Sequence, residues 1–353
     1  MLLAVLTEYI IPIIYTSFVT LVLVLFFLFI FRIKDSSIRI LFFFLPLIKP
    51  FLVIAEKFEL HPSLINNLPI YSGLRWPDPT NIFTRFEEFN PESKLFVSDI
   101  NYNIIFAVIT FIIVGLILRW INLYLFYKRL ASEEKVARED APLIYGIIDK
   151  FAKKTTIRAP DVSLTHQRFT IPFIVGVKNV TMVISPSLFE ILEHPEKETI
   201  IQHELSHIKR KDNLISWIAM ILRDILFFNP FAYIAYFLIR TEQDSGSDKV
   251  MVKYSGRPVK EIAKSLLSAI IKLMSTGPGK AITGSAQSLN FSPGRFFSQH
   301  RLKNRIRSIL RTDQDRISMR IFPRIMMFVL FSLILVLQIF YIINTNGYSI
   351  YLR

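Results

Sequence analysis

The residues with the clearest chemical potential in this sequence are two histidines four positions apart, with a glutamate directly after the first. They form the segment His203-Glu204-Leu205-Ser206-His207. On a helix, side chains at positions i and i+4 project from the same face, one turn apart. Both imidazoles can then reach one Zn²⁺, which binds histidine nitrogen at about 2.0–2.1 Å. The spacing therefore predicts a zinc site with His203 and His207 as ligands.

Glu204 is predicted to be the general base of this site. Zinc lowers the pKa of its water towards about 7, and a neighbouring carboxylate can take the proton and pass it to a leaving amine. This is the chemistry of a zinc metalloendopeptidase, which cleaves a protein or peptide. The alternative is a polar helix face without metal. Apolar neighbours favour the zinc site, because they predict a half-buried helix in which polar groups need partners: Ile200, Ile201, Leu205 and Ile208.

A third protein ligand is expected in the segment 240–248, which carries three carboxylates. Asp244 and Asp248 are one helical turn apart on one face, whereas Glu242 points elsewhere. That spacing suits one zinc ligand and one partner that supports a histidine. A solvated acidic face is the other interpretation. The sequence contains no cysteine, so disulfides and thiolate ligands are excluded.

The composition predicts a membrane protein. Of the 353 residues, 52% are hydrophobic and 32 are phenylalanine, which is unusually apolar for a soluble chain. The net charge of +14 is explained by basic residues that collect in cytoplasmic loops, so no nucleic-acid partner is expected. No cleaved signal peptide is expected either, because the first nine residues contain no lysine or arginine.

The apolar pattern predicts four transmembrane spans. Three basic flanks, at 32–39, 128–129 and 316–324, fall on one side of such an arrangement, which is the cytoplasm by the positive-inside rule. We therefore predict a multi-pass protein of the bacterial plasma (inner) membrane with its protease domain in the cytoplasm. The predicted order is two spans within 1–55 (10–31 and 40–55), an acidic extracytoplasmic loop (56–101), a third span (102–128), the zinc metalloprotease domain (129–320), a fourth span (321–343) and a short external tail (344–353).

The region 129–320 is predicted to be mainly helical, with a small β-hairpin. The hairpin is expected at Phe169–Ile184, around a turn at 176–179. Pro195 is predicted to open the helix that carries the two histidines. Further helices are predicted at Ala141–Lys154, Asn213–Phe228, Phe231–Tyr254, Lys260–Met274 and Arg301–Leu310. The fold class is thus a multi-span α-helical membrane protein with a mainly helical protease domain.

Several motifs in their order resemble the BlaR/MecR-type membrane metalloproteases, the protease modules of beta-lactam sensor-transducers. The resemblance covers roughly residues 105–343 and implies a gluzincin-like Zn²⁺ site. In such a site His203 and His207 are ligands, Glu204 is the base, and the third ligand is acidic. It also implies a role in signal transduction, in which the enzyme cleaves a regulator or itself. The motifs are Ile171–Gly176, Ile184–Pro186, His203–Ile215, Phe227–Pro230 and Arg301–Ile306.

The chain departs from that family at two points. The family usually has Glu where this chain has Asp244, which is one methylene shorter, and an Asp four residues later, here Asp248. The resemblance therefore implies Asp244 as the third ligand, with Glu242 as the alternative, and Asp248 as a partner that supports a histidine. The family's best-known members also carry an extracellular sensor after the last span, for which this sequence leaves no room. Beta-lactam sensing is therefore not expected, and the loop 56–101 is either a sensor or a connector.

Two other functions stay open at this point. One is a membrane protease of the HtpX or CAAX-processing type, in quality control or processing. The other is a catalytically degenerate receptor or scaffold. The expected partners are a protein or peptide substrate and the lipid bilayer, and the sequence also permits a homodimer.

Overall fold

The computed structural model describes residues 10–57, 102–165, 172–186, 190–276, 302–303, 305–310, 326 and 329–330. These residues are mainly helical, with one small sheet. The strands are β1 (Glu134–Lys135), β2 (Asp161–Leu164), β3 (Phe173–Val175) and β4 (Thr181–Ile184). Residues 302–303 and 305–310 are also helical. The longer helices are α1 (Ile11–Ile30), α2 (Ser36–Phe43), α3 (Leu45–Lys57), α4 (Tyr102–Ala131), α5 (Pro142–Thr155), α6 (His194–Arg210), α7 (Asp212–Ile225), α8 (Pro230–Ser255) and α9 (Val259–Thr276).

The chain forms two compact units. One comprises Met1–Ile117, Ala219–Ile239 and Met319–Arg353, and the other comprises Leu118–Ile218 and Arg240–Ser318. In the first unit, α1 packs against α3. Ser17 on α1 donates a 3.0 Å hydrogen bond to the carbonyl of Pro46, and Asn229 donates one of 2.7 Å to Ser17. Buried polar groups need such partners, so this cluster fixes how these segments pack.

Two of the described helices are long and apolar enough to cross a membrane, Ile11–Ile30 and Thr110–Ala131. Large apolar side chains on both are exposed, with Phe29 at 80% and Phe111 at 79%, as expected for a surface that contacts lipid. These helices indicate a membrane location. They overlap the first and third predicted spans.

The predicted second span, 40–55, is divided between α2 and α3 at Phe44. With 8 and 13 residues, neither helix alone reaches the roughly 20 residues that a single span requires. The loop 56–101, the fourth span 321–343 and the tail 344–353 lie outside the described residues, apart from 56–57, 326 and 329–330. The four-span arrangement therefore stays a prediction.

The sheet of the second unit has the strand order β1-β2-β4-β3. β3 and β4 pair antiparallel and confirm the predicted hairpin, whereas β2 and β4 pair parallel. At the hairpin turn Gly176 has φ +93°, and a Cβ there would meet the backbone of Asn179. This turn needs glycine for both reasons.

The helix α6 has one buried face and one face that carries the chemistry. Ile201 and Leu205 are fully buried in a core with Ile148 on α5, Val162 on β2 and Met182 on β4. The two histidines lie on the opposite face, and Glu204 lies at the border between the two faces. The other predicted helices of this region are found as α5, α7, α8 and α9, with ends that differ by a few residues.

Both ends of α6 are fixed by specific contacts. At its start, Glu193 and Glu196 form a capping box, and Ser268 on α9 donates a 2.6 Å hydrogen bond to Glu196. Pro195 is the second helical residue rather than the first. At the other end, Lys211 adopts a left-handed conformation with φ +58°. This residue turns the chain directly into α7 and so places the start of α7 beside the end of α6.

Candidate active site

His203 and His207 face each other from successive turns of α6. Their Nε2 atoms are 3.2 Å apart, and the side chains are 8% and 13% exposed. The predicted i, i+4 geometry is therefore present. Each Nδ1 atom contacts an aspartate instead, which leaves the two Nε2 atoms directed at a common point.

The helix α8 brings Asp244 to this point. Its Oδ1 atom lies 3.8 Å from Nε2 of His207, and one ligand atom each from His203, His207 and Asp244 all lie within 4.8 Å of one another. Two ligands at about 2.0–2.1 Å from one tetrahedral ion are about 3.4 Å apart, and the observed separations of 3.2 and 3.8 Å bracket that value. Two imidazoles and a carboxylate are also a donor set that zinc accepts. Among the described residues, Glu242 does not belong to this group.

Asp248 lies one turn further along α8 and contacts His203. Its Oδ1 atom is 3.0 Å from Nδ1 of His203, so the predicted pairing with a histidine is present. The carboxylate also receives two hydrogen bonds from Arg305, at 2.7 and 2.8 Å. In the sequence, Arg305 stands out only as part of the motif Arg301–Ile306, and no local pattern predicted a role for it at the site.

Asp212 supports the other histidine, a role that the sequence motifs did not predict. Its Oδ2 atom accepts from His207 Nδ1 at 2.8 Å, from Ser247 at 3.0 Å and from Arg210 at 3.1 Å. The left-handed turn at Lys211 directs the first turn of α7 back towards α6, and this brings Asp212 into contact with His207. One sequence feature could have drawn attention to Asp212: it lies at a helix N-terminus, where a carboxylate is favoured.

Gly246 on α8 makes room for this arrangement. A Cβ atom at Gly246 would collide with the guanidinium of Arg210. The missing side chain therefore leaves space for the arginine that holds Asp212.

The two histidines have opposite pKa shifts. Burial and the nearby Arg305 cation lower the pKa of His203 to about 4, because both disfavour a second positive charge. At His207, burial is outweighed by the hydrogen bond and charge of Asp212, so its pKa is raised. Burial raises the pKa of Glu204 to about 7. A divalent cation here would favour neutral histidines and ionised carboxylates, which is the state that metal binding needs.

The profile of the BlaR1 peptidase M56 family matches residues 81–307. The chain belongs to the BlaR1 peptidase M56 family. The match covers more than half of the sequence and includes every site residue described above, up to Arg305. It confirms the resemblance to BlaR/MecR-type proteases, and it establishes this M56 chain as a member of a membrane peptidase family.

Several proteins named Protease HtpX homolog are similar to part of this M56 chain. The one from Pyrococcus abyssi is 31% identical over 110 residues, which is 31% of this chain and 35% of that relative. The one from Gemmatimonas aurantiaca is 27% identical over 172 residues, or 40% of this chain and 60% of that relative. This chain thus spans about a third of the length of the Pyrococcus relative and less than two thirds of the length of the Gemmatimonas relative. The matches support a protease, and they do not transfer a substrate or partner.

Proposed function

We propose that this M56 chain is a zinc endopeptidase that cleaves a protein substrate at the cluster of His203, His207 and Asp244. The observation that carries the proposal is the convergence of three potential ligand atoms within 4.8 Å. Glu204 lies on the same helix as the two histidines, next to the first of them. This arrangement favours an active peptidase over a degenerate receptor or scaffold. A site that catalyses no reaction does not need the metal ligands and the general base on one helix.

In the proposed mechanism each residue has one role. His203 and His207 would hold a Zn²⁺ ion through Nε2 and Asp244 would hold it through a carboxylate oxygen, and the ion would supply Lewis-acid activation of water. Glu204 takes a proton from the attacking water and delivers it to the amide nitrogen of the leaving group. Asp212 and Asp248 accept hydrogen bonds from the histidine Nδ1 atoms, which fixes the tautomer that leaves Nε2 for the metal.

The edge strand β3 is the proposed place for an extended substrate. It is the last strand of the sheet within the part of the chain that the structure describes, and it packs against α6. A peptide can add to a free sheet edge through backbone hydrogen bonds. Next to this edge, Asn213 donates a 2.9 Å hydrogen bond to the carbonyl of Gly176, which fixes the hairpin beside the helix.

Metal analysis of the purified full-length protein tests the proposal. We expect about one zinc per chain in detergent solution, and we expect a chelator to abolish substrate cleavage and added zinc to restore it. The control is the same treatment of the double variant His203→Ala/His207→Ala, which should be metal-free and inactive throughout. A wild-type protein without stoichiometric zinc would support the degenerate receptor instead.

A role in signalling is the proposed biological setting, with a regulator or the chain itself as substrate. The similarity to HtpX-type relatives supports a second candidate function, which is a protease of wider specificity in quality control. Substrate trapping with Glu204→Gln, crosslinking and mass spectrometry separates the two. One dominant captured protein, or the chain itself, supports signalling, whereas many unrelated membrane proteins support quality control.

We propose a cytoplasmic location for the site, from the three basic flanks of the predicted spans. The absence of cysteine from the whole sequence makes engineered cysteines specific probes of this topology. Ser132→Cys lies just after α4 at an exposed position, and Ser72→Cys lies in the acidic loop.

In intact bacterial cells, a membrane-impermeant maleimide should label Ser72→Cys and spare Ser132→Cys. After lysis both variants should react, because the positive-inside rule places the residue after α4 in the cytoplasm. The wild-type protein, which has no thiol, is the control for background labelling. Labelling of Ser132→Cys in intact cells would reverse the proposed orientation.

A further inference from the structure

Arg305 contacts both the supporting carboxylate and one of the histidines. Its Nε and Nη2 atoms donate to the two oxygens of Asp248 at 2.7 and 2.8 Å. The same Nη2 atom lies 3.0 Å from Nδ1 and 3.0 Å from Nε2 of His203. Arg305 therefore contacts each of the two members of this pair directly.

These contacts differ in kind. The two bonds to Asp248 form the parallel, bidentate arrangement that only a guanidinium offers a carboxylate. The two ring nitrogens of an imidazole carry lone pairs that diverge, so one donor cannot align with both. Nη2 therefore lies against the His203 ring and restricts its rotation, while the carboxylate is held at both oxygens.

A separate apolar cluster sets the position of Arg305. Ile309 is 1% exposed and packs with Met251 on α8 and with Ile262 and Leu266 on α9. Ile309 and Arg305 are one helical turn apart, so they share a face of the segment 305–310. This packing, which involves no residue of the metal cluster, places the guanidinium next to His203. The two residues are 102 positions apart in the sequence.

We propose that Arg305 is a positioning residue of the metal centre, which holds Asp248 and the His203 ring so that Nε2 of His203 points at the metal. This inference rests on the proposed zinc site. Partners of this kind change metal affinity by about 10–100-fold when they are removed. A purely electrostatic role would have the opposite sign, because removing a cation beside a dication should strengthen metal binding.

The test compares Arg305→Met and Arg305→Lys with Arg307→Met in the full-length protein. Arg307 lies on the same helical segment and is exposed, so its variant controls for the loss of a positive charge. The first readout is zinc affinity, by competition with a chromophoric chelator. The second is the visible d–d spectrum of the Co²⁺-substituted protein, which reports the geometry of the ligands and not the stability of the fold.

We expect Arg305→Met to bind zinc about 10–100-fold more weakly and to shift the Co²⁺ spectrum. Arg305→Lys should not restore either property, since a lysine keeps the charge but cannot hold both carboxylate oxygens. Arg307→Met should match the wild type. Asp248→Asn should reproduce the loss, and adding Arg305→Met to it should cost little more, because the arginine acts through that carboxylate.

Other outcomes would overturn the inference. Stronger zinc binding in Arg305→Met would show that the arginine acts only as a repelling charge. A lower unfolding temperature of the metal-free variant with unchanged zinc affinity and Co²⁺ spectrum would show a merely structural role. If the wild-type protein itself binds no zinc, the proposed function fails first, and this result is distinct from a loss confined to the variants.

Discussion

Replacing Glu204 with glutamine is expected to lower kcat by about 10²–10⁴-fold while zinc stays bound, because that is the usual contribution of a general base. Glutamine has nearly the same shape as glutamate but cannot accept a proton from water. The side chain is not among the three grouped ligands, so the metal should be retained. The loss should therefore appear in the chemical step.

The measurement is single-turnover cleavage of the trapped substrate together with zinc content. The matched control is Glu198→Gln, which makes the same change on the same helix, where the carboxylate accepts a 3.0 Å hydrogen bond from Gln202. Its cleavage rate should stay close to that of the wild type. A Glu204→Gln enzyme that cleaves at the normal rate would refute the proposed mechanism.

The sequence could predict the parts of the site that depend on one helix. The pairing of His203 with His207 follows from a spacing of four residues, which any helix converts into one face. The same rule separated Asp244 and Asp248 from Glu242 on α8. The β-favouring residues on both sides of the turn at 176–179 likewise predicted the β3–β4 hairpin, because its two strands are neighbours in sequence.

The remaining parts depend on contacts that no local pattern records. Asp212 reaches His207 only because Lys211 takes a left-handed conformation, which is uncommon for a residue other than glycine. Arg305 reaches its histidine through the packing of Ile309 against two other helices. The parallel pairing of β2 with β4 also joins distant segments, so periodicity could indicate strands without giving their order.

Asp244→Ala is expected to weaken zinc binding by at least about a hundredfold, the upper limit for losing a residue that only supports a ligand. The reason is the position of its carboxylate, 3.8 Å from Nε2 of His207 and within the group of three potential ligand atoms. Two histidines alone should not hold the ion against a chelator. Cleavage should be lost with the metal and should partly recover when zinc is added in excess.

Two variants on the same helix make this prediction specific. Glu242→Ala removes the alternative carboxylate and should leave zinc affinity unchanged. Asp244→Glu introduces the residue that BlaR/MecR-type proteases usually have there, and it should keep zinc within about tenfold, because the carboxylate is retained on a side chain longer by one methylene. If Glu242→Ala loses zinc and Asp244→Ala keeps it, the ligand is Glu242. The chain would then have to place that side chain differently when metal is bound, because among the described residues the group that can hold an ion contains Asp244 and not Glu242.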